Sequence, residues 1–326
     1  MPIKFILPFL YSFLISILAI FFLLRGGFLR FSLKNRFGGL VVILVFALLV
    51  LLNKDLVVTK PIAGILAGGL LILLFGLLDD LKNLNWRWQL FFQIVIALVA
   101  ISFGVRSEYI TNPFGGIINL QNPLLYFLLT TIYFLLFMNS LNWLDGIDGL
   151  AGSVTLTALA VIFFLSLLPH VNQPAVAILC AISGGAILGF LVFNWHPARI
   201  IAGTSGAWFF GFLLASLSIF AGAKIATVLM ATLIPMLDFV RVIYERYRSS
   251  QSIFSGDNRH LHHKLLELGW SERRIVFAVC AVSVVVGMVA LNLTAIGKVI
   301  FIVMFFVGYF VAMQAINVKC ESQKKL

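Results

Sequence analysis

The chain has 326 residues, of which 62% are hydrophobic and only 11% charged, and its mean hydropathy is +1.09. Soluble domains carry about 25% charged residues, so this composition excludes an ordinary soluble domain and indicates a protein embedded in lipid. The net charge of +11 does not indicate nucleic-acid binding, because no soluble basic domain carries it. We attribute the charge to membrane topology and to attraction between the protein and anionic membrane lipids.

Apolar segments of about the length that a helix needs to cross a bilayer recur along the whole chain. In lipid, an open chain satisfies its own backbone hydrogen bonds only as a helix. We therefore predict an all-α polytopic integral membrane protein, with one transmembrane domain over residues 1–326 and about eleven transmembrane helices. The predicted spans are residues 5–24, 38–53, 61–78, 88–105, 122–140, 150–168, 174–193, 205–222, 225–241, 275–293 and 299–317.

The distribution of lysine and arginine between the loops predicts the orientation. With the N-terminus outside and the C-terminus cytoplasmic, seventeen of the 23 basic residues fall on the inner side. The cytoplasmic loops then cover about residues 25–37, 79–87, 141–149, 194–204 and 242–274. No small-residue cleavage site follows the first span, so we expect a permanent helix there. Residues 109–123 are expected to form a short external hairpin.

Two amides and two carboxylates follow the fifth span, namely Asn139, Asn142, Asp145 and Asp148. Carboxylates near membrane depth are costly unless they face water, a cation or a partner, so they are functional candidates. Asp145 and Asp148 are three residues apart, which on a helix places both on one face. The amides suit phosphate, sugar or base, although hydrogen bonding between helices is an alternative role for them.

Adjacent carboxylates, Asp79 and Asp80, end the third span. Carboxylate oxygens are hard ligands that suit Mg²⁺, with Mn²⁺ as an alternative ion. One carboxylate can ligate the metal while the other accepts a proton. The alternative is a pair of interfacial charges that merely ends a span.

The loop after the ninth span contains Arg259, His260, His262 and His263. Guanidinium and imidazole groups are suited to binding a pyrophosphate, to stabilising a leaving group or to ligating metal. Zinc is disfavoured because no cysteine accompanies the histidines. A loop that only sets the topology would explain the arginines but not the histidines.

After the seventh span, Asn194 precedes a proline-stiffened turn and a helix start rich in small residues. Backbone amides at such a start can hold phosphate, although a plain helix connection is the alternative. This cluster and the three preceding ones all fall on the predicted cytoplasmic side. We therefore expect them to form one site at the inner face of the membrane.

Together these segments resemble the polyprenyl-phosphate N-acetylhexosamine-1-phosphate transferase family, glycosyltransferase family 4. The His260-Leu261-His262-His263 form is most similar to the branch that uses UDP-GlcNAc. The motifs that carry the resemblance are Arg36-Phe37-Gly38-Gly39, Asp79-Asp80, Asn139 to Gly152, Asn194 with Pro197-Ala198, Pro235 with Asp238, and Asp257 to His263.

The resemblance implies a Mg²⁺-dependent enzyme in a bacterial-type plasma membrane. Polyprenyl phosphate, such as undecaprenyl phosphate, would attack a UDP-sugar, release UMP and form a polyprenyl-pyrophosphoryl-sugar for cell-envelope polysaccharides. In that scheme Asp79, Asp80, His262 and His263 are catalytic, and Asp79 and Asp80 also handle the metal. The residues that would bind substrate are Asn139, Asn142, Asp145, Asp148, Asn194, Arg259 and His260.

One loop departs from the family pattern. Where the family usually has Phe-x-Gly-Asp-x-Gly, with the aspartate ligating Mg²⁺, this chain has Ile201 and Thr204 in place of the aromatic residue and the aspartate. A hydroxyl can ligate Mg²⁺ but brings no charge. Alternatives therefore stay open, including a catalytically silent or donor-shifted relative and, from a different class, a transporter. The sugar donor and the oligomeric state, including a homodimer, also stay open.

Overall fold

The computed structural model describes residues 3–26, 35–221, 224–252 and 259–324, which are almost entirely helical. The helices are α1 (Ile3–Gly26), α2 (Gly38–Leu52), α3 (Lys60–Lys82), α4 (Trp86–Ser102), α5 (Pro123–Leu144), α6 (Leu150–Leu167), α7 (Pro174–Asn194), α8 (Gly203–Phe220), α9 (Ile225–Ala231), α10 (Leu233–Arg248), α11 (Leu261–Glu267), α12 (Glu272–Asn292) and α13 (Ala295–Lys324). The predicted hairpin is confirmed as antiparallel strands β1 (Tyr109–Thr111) and β2 (Ile117–Asn119).

Every predicted span overlaps an apolar helix of the structure. Eight described helices are long and apolar enough to cross a membrane, and α9 with α10 forms a bent pair that would make a ninth span. The helices α2 and α4 are apolar but have only 15 and 17 residues. The chain is therefore an all-α, multi-pass membrane protein.

The ninth predicted span is wrong in one respect, since residues 225–241 do not form one continuous helix. The chain breaks at Thr232, and the axes of α9 and α10 differ by 81°. Pro235 lies in the first turn of α10 and has no N–H to donate to the carbonyl of Ala231, so a straight helix cannot continue through this point. After the break, α10 runs on to Arg248, well beyond the predicted end.

Several predicted loops are shorter in the structure because the helices before them run further. The helix α3 ends at Lys82, so Asp79 and Asp80 lie on its last turn rather than in a loop. Asn83 then adopts a left-handed conformation, with a φ of 49°, which terminates the helix. Similarly, α5 includes Asn142 and ends at Leu144. Most of the predicted loop 25–37 lies outside the described residues.

Local sequence explains where the helices α4 and α5 begin. The Asn85 side chain accepts hydrogen bonds from the amides of Arg87 and Trp88 and caps α4. The Asn122 side chain accepts from the amide of Leu124 in the same way, and Pro123 at the first position of α5 needs no hydrogen-bond acceptor.

The helix α8 lies at the centre of the bundle, and nearly all of its residues are buried. Small residues allow its N-terminal end to approach its neighbours closely. Gly39 of α2 faces Gly206, and Gly76 of α3 faces the backbone of Ser205, so that a Cβ at either glycine would clash. This close packing brings the last turn of α3 against the first turn of α8.

Candidate active site at the N-terminus of α8

The Asp80 side chain caps the N-terminus of α8 from a different helix. Its Oδ1 accepts a hydrogen bond from the Thr204 amide at 2.7 Å, and its Oδ2 accepts from the amide and the hydroxyl of Ser205 at 3.2 and 2.9 Å. The first amides of a helix have no partner within the helix, and the positive end of the helix dipole favours an anion there. The buried Asp80 carboxylate is therefore stabilised by α8.

Asp79 is also buried and is held by groups from three segments. Its Oδ2 accepts a hydrogen bond from the Thr204 hydroxyl at 2.6 Å, and its Oδ1 accepts from the Leu84 amide and the Gln89 side chain at 2.9 and 3.0 Å. Thr204 therefore joins the two predicted metal-handling carboxylates, donating its amide to Asp80 and its hydroxyl to Asp79.

The donor set of Asp79, Asp80 and Thr204 fits a hard cation. Asp79 Oδ2 and Asp80 Oδ1 each accept one hydrogen bond from the described residues and so keep a lone pair. The Thr204 hydroxyl gives its proton to Asp79, which leaves its own lone pairs for a ligand. Oxygen donors of this kind are the ones that Mg²⁺ prefers. The assignment of these three residues to a metal stays a prediction.

Asp145 follows the last residue of α5 and is half-buried close to Asp80 and Asp148. Burial raises the pKa of the Asp145 carboxyl well above its usual value, and the neighbouring carboxylates of Asp80 and Asp148 raise it further. Three carboxyl groups that repel one another favour the binding of positive charge between them. Asn142, on the turn of α5 before Asp145, is also half-buried.

Arg36 contributes positive charge to this site, although it was not among the predicted site residues. Its guanidinium donates to Asn83 Oδ1 at 3.3 Å and opposes the rise in the pKa of Asp145. Hydrogen bonds from the Ile201 amide to the Asn35 carbonyl and from the Gly38 amide to the Ile201 carbonyl hold its segment beside the start of α8. The motif that begins at Arg36 was the signal in the sequence that pointed to this residue.

Both the oxygen and the nitrogen of the Asn194 side-chain amide form hydrogen bonds within the protein. Its Oδ1 accepts from the Gly149 amide at 3.0 Å, and its Nδ2 donates to the Ile200 carbonyl at 2.8 Å. The residue is buried, so this geometry favours a role in positioning the two loops over direct contact with a substrate. Its predicted role in substrate binding stays untested.

Asp148 lies in the loop after α5 and contacts the loop after α7. Its Oδ2 accepts from the Ala198 amide at 2.9 Å and lies 3.0 Å from Nδ1 of His196. Oε2 of Glu272 in α12 lies 3.2 Å from the same nitrogen of His196. Within the described ranges, these three side chains form the only group of three or more histidine, cysteine or carboxylate ligands close enough to share a metal ion. His196 and Glu272 were not predicted as site residues.

The histidine segment is anchored by Asp238 of α10. His260 Nδ1 lies 2.8 Å from Asp238 Oδ2, while Asp238 Oδ1 accepts from Arg241 and from the Tyr309 hydroxyl at 2.7 and 2.9 Å. This buried network orients His260 and fixes the start of α11. The sequence indicated Asp238 only as part of a motif. Nothing in the sequence indicated that Tyr309 of α13 would contact it.

His262 is buried against the loop that carries Asp145. A Cβ placed on Gly146 would lie 2.8 Å from His262 Nε2, so only a glycine allows this approach. Neither ring nitrogen of His262 has a hydrogen-bond partner within the described residues. The ring of His263 packs on that of His262, with centroids 4.3 Å apart. The histidine segment therefore meets the polar loop after α5, as the sequence predicted.

Arg259 and Asn139 lie at the edges of this arrangement. Arg259 is half-buried, and its guanidinium donates to Gln251 Oε1 at 2.6 Å. Asn139 forms a reciprocal amide pair with Gln93 of α4, with distances of 2.8 and 3.2 Å. This pairing matches the alternative role of joining helices. Asp257, which belongs to the histidine motif, lies outside the described residues.

The pKa of His262 leads to a test of its environment. Burial, and secondarily the adjacent His263, lowers this pKa from 6.5 to about 3. Between pH 6.5 and about 3, the ring takes up a proton in the unfolded chain but stays neutral in the folded chain. The free energy of unfolding is therefore unaffected above pH 6.5 and falls as the pH is lowered towards 3. We expect the unfolding temperature in detergent micelles to fall less between about pH 7 and pH 4.5 in His262→Asn than in the unchanged protein.

His170→Asn is the matched control, because His170 is exposed in the loop between α6 and α7. It should leave the pH dependence unchanged. An identical pH dependence in His262→Asn and the unchanged protein would contradict the assignment of a neutral, buried ring.

Comparison with known proteins identifies the family. The model of glycosyl transferase family 4 matches residues 62–222. The chain is 31% identical over 272 residues to the decaprenyl-phosphate N-acetylglucosaminephosphotransferase of Mycobacterium leprae, covering 76% of this chain and 68% of that protein. It is 32% identical to the Mycobacterium tuberculosis protein of the same name, covering 70% of this chain and 62% of that protein.

A third relative comes from Bacillus subtilis and carries the name probable undecaprenyl-phosphate N-acetylglucosaminyl 1-phosphate transferase. It is 26% identical over 268 residues, covering 80% of this chain and 74% of that protein. The matched region contains the carboxylates, the polar loop after α5 and the start of α8 described above. The chain belongs to glycosyl transferase family 4 and is a multi-pass membrane transferase.

Proposed function

We propose that this protein transfers N-acetylglucosamine-1-phosphate from UDP-GlcNAc to a polyprenyl phosphate, releasing UMP. The names of the mycobacterial and Bacillus relatives support both the transferred group and the lipid acceptor. The observation that carries the proposal is an apolar groove between α4, α5 and α10 that reaches the Asp79 carboxylate through Gln89.

The groove has a volume of about 360 Å³ and is mostly apolar, which suits an isoprenoid chain. Its wall also includes Trp143, whose ring contacts His260 edge-on with centroids 5.2 Å apart. A lipid in the groove would thus have its polar end between the Asp79 side and the histidine side of the site. The lining residues are Trp86, Gln89, Leu90, Gln93, Ile132, Leu135, Leu136, Asn139, Trp143, Phe239 and Ile243.

The proposed reaction brings together two anionic substrates, so it needs positive charge and accurate positioning more than covalent help from the protein. Arg36 supplies a fixed cation beside Asp80 and Asp145. A bound Mg²⁺, or Mn²⁺, would neutralise the phosphates and the leaving group. We assign its ligands to Asp79, Asp80 and Thr204, with Asp145, whose carboxyl lies near that of Asp80, and Asn142 on the preceding turn of α5 assisting them.

The remaining roles follow from position. We propose that a phosphate oxygen of the lipid forms a bond to the sugar-proximal phosphorus as the bond from that phosphorus to UMP breaks, with Asp79 and Asp80 on the side that would hold the metal. His262 faces the loop of Asp145, the ring of His263 packs on that of His262, and both would donate hydrogen bonds to the pyrophosphate. We also propose that Asn142, Asp145, Asp148, Arg259 and His260 contact the nucleotide-sugar, and that Asn139 and Asn194 position the helices and loops that carry them.

The membrane arrangement is part of the same proposal. We infer one domain with eleven membrane crossings, counting α2, α4 and the bent pair, with the N-terminus outside and the active site at the cytoplasmic face of a plasma membrane. The excess of lysine and arginine on the inner side supports this orientation.

The first test is transfer itself. With UDP-GlcNAc, undecaprenyl phosphate and Mg²⁺, the purified protein should release UMP. Asp80→Asn should reduce the rate by about 100-fold or more, because the amide that replaces the carboxylate loses the charge held by α8. Asp55→Asn, which changes an exposed carboxylate in the loop before α3, should retain activity. Absence of UMP release with any UDP-sugar would favour the catalytically silent alternative.

The second test concerns Thr204. Thr204→Asp would place a third carboxylate beside those of Asp79 and Asp80. Because the three groups repel one another, the variant should be less stable than the unchanged protein when both are measured in the absence of Mg²⁺. With Mg²⁺ it should reach half-maximal transfer at a concentration about 10-fold lower, since an anionic ligand binds the ion more strongly than a hydroxyl. Thr204→Ser keeps the hydroxyl and should behave like the unchanged protein. An unchanged Mg²⁺ dependence in Thr204→Asp would place the metal elsewhere.

The third test concerns the lipid groove. Leu136→Trp fills part of the groove and should raise the KM for polyprenyl phosphate by about 10-fold, with little change in the KM for UDP-GlcNAc. Leu74→Trp, at an exposed position of α3 outside the groove, is the control. Equal effects of Leu136→Trp on both KM values would contradict the assignment of the groove to the lipid.

A further inference from the structure

Three side chains that commonly ligate metals meet away from the Asp79, Asp80 and Thr204 group. Asp148 comes from the loop after α5, His196 from the loop after α7 and Glu272 from the first turn of α12. Nδ1 of His196 lies 3.0 Å from Asp148 Oδ2 and 3.2 Å from Glu272 Oε2. One ligand atom from each residue lies within 4.8 Å of the other two.

These separations are those of ligands around a single ion. With metal–ligand bonds of about 2.1 Å, two ligands at a tetrahedral angle lie about 3.4 Å apart, and two at a right angle lie about 3.0 Å apart. The two distances from the imidazole therefore need only small changes to accommodate a metal. The ion would take the place of the proton that otherwise joins the imidazole to the carboxylates.

The donor set selects the kind of ion. Mg²⁺ prefers oxygen ligands, whereas an imidazole nitrogen with two carboxylate oxygens suits Zn²⁺, Mn²⁺ or Fe²⁺. Two carboxylates with a neutral imidazole also balance the charge of a divalent ion. Each of the three side chains is between 26% and 40% exposed, so water can complete the coordination sphere.

The backbone around the cluster is held in place, as a preformed site requires. Arg273 donates two hydrogen bonds to the His196 carbonyl, at 2.7 and 3.2 Å. The Ala198 amide donates to Asp148 Oδ2, and the Asp148 amide donates to Glu272 Oε2 at 3.2 Å. Contacts that orient the ligands raise metal affinity because less ordering is needed on binding.

We propose that Asp148, His196 and Glu272 form a binding site for a divalent transition-metal ion, distinct from the Mg²⁺ site proposed at the start of α8. An ion at this site joins the loop after α5, the loop after α7 and the N-terminus of α12. It thereby fixes the two loops that carry Asp145 and Asn194. The ion would use Oδ2 of Asp148, which leaves Oδ1 for the contact with the nucleotide-sugar proposed above, and binding of the metal alone does not require the transferase reaction.

The test is direct titration of the full-length protein, purified metal-free in detergent micelles, with Mn²⁺ or Zn²⁺ alone. Calorimetry gives the stoichiometry and Kd, Mn²⁺ paramagnetic resonance gives the fraction bound, and thermal unfolding gives the stabilisation by metal. A 100-fold excess of Mg²⁺ in a parallel titration tests selectivity. None of these measurements requires turnover.

We expect one high-affinity site that Mg²⁺ does not displace, in addition to any Mn²⁺ bound by Asp79, Asp80 and Thr204, which excess Mg²⁺ does displace. His196→Gln and Glu272→Gln should each weaken binding by about 10-fold or more and remove most of the metal-induced rise in unfolding temperature. The unfolding temperature of each variant without metal shows whether it is folded. Three controls should retain the site, namely His170→Gln at an exposed loop, His262→Gln in the histidine segment and Asp80→Asn at the start of α8.

Equal Kd values for the unchanged protein and a folded His196→Gln variant would overturn the proposal and leave a hydrogen-bonded imidazole between two carboxylates. Loss of the site in His262→Gln with retention in His196→Gln would also overturn it, by moving the metal to the histidine segment. Complete displacement by Mg²⁺ would contradict the selectivity that the imidazole ligand implies.

Discussion

The capping of α8 by Asp80 is the interaction on which the rest of the site depends. A carboxylate from the last turn of α3 accepts hydrogen bonds from the first amides of the central helix, and Thr204 extends the contact to Asp79. Two buried anions next to one another would be costly in a membrane protein without such donors. The positive end of α8 therefore allows a pair of buried carboxylates to lie on the last turn of α3, a helix long and apolar enough to cross a membrane.

The balance of charge around this cap explains several other features. The carboxyl groups of Asp145 and Asp148 lie close to this cap, burial and the neighbouring carboxylates raise the pKa of Asp145, and Arg36 adds a cation held by Asn83. Thr204 brings a hydroxyl group and no charge to the start of α8. The hydroxyl still reaches Asp79, which keeps the local hydrogen-bonded geometry intact. The start of α8 is therefore joined to both carboxylates through a neutral residue.

Much of the arrangement could be predicted from sequence. The eleven apolar segments were found because lipid imposes length and hydropathy on every span, and the four polar clusters were expected at one face because each ends or begins a span on the same side. The contacts between Asp80 and Thr204 and between Gly146 and His262 agree with that expectation. Hydropathy could not reveal the break at Thr232, since both halves are apolar and the cause is the missing N–H of Pro235.

The sequence by itself determined that the protein is a bundle of membrane helices and which residues carry charge close to the lipid, because composition and spacing report burial and topology. Only the tertiary structure decided the partner of each polar side chain. Gln93 pairs with Asn139, Asn194 joins two loops, and Glu272 lies beside His196 although 76 positions separate them in the chain. Such pairings depend on how helices pack, and helix packing is set by the shapes of many residues together rather than by any local pattern.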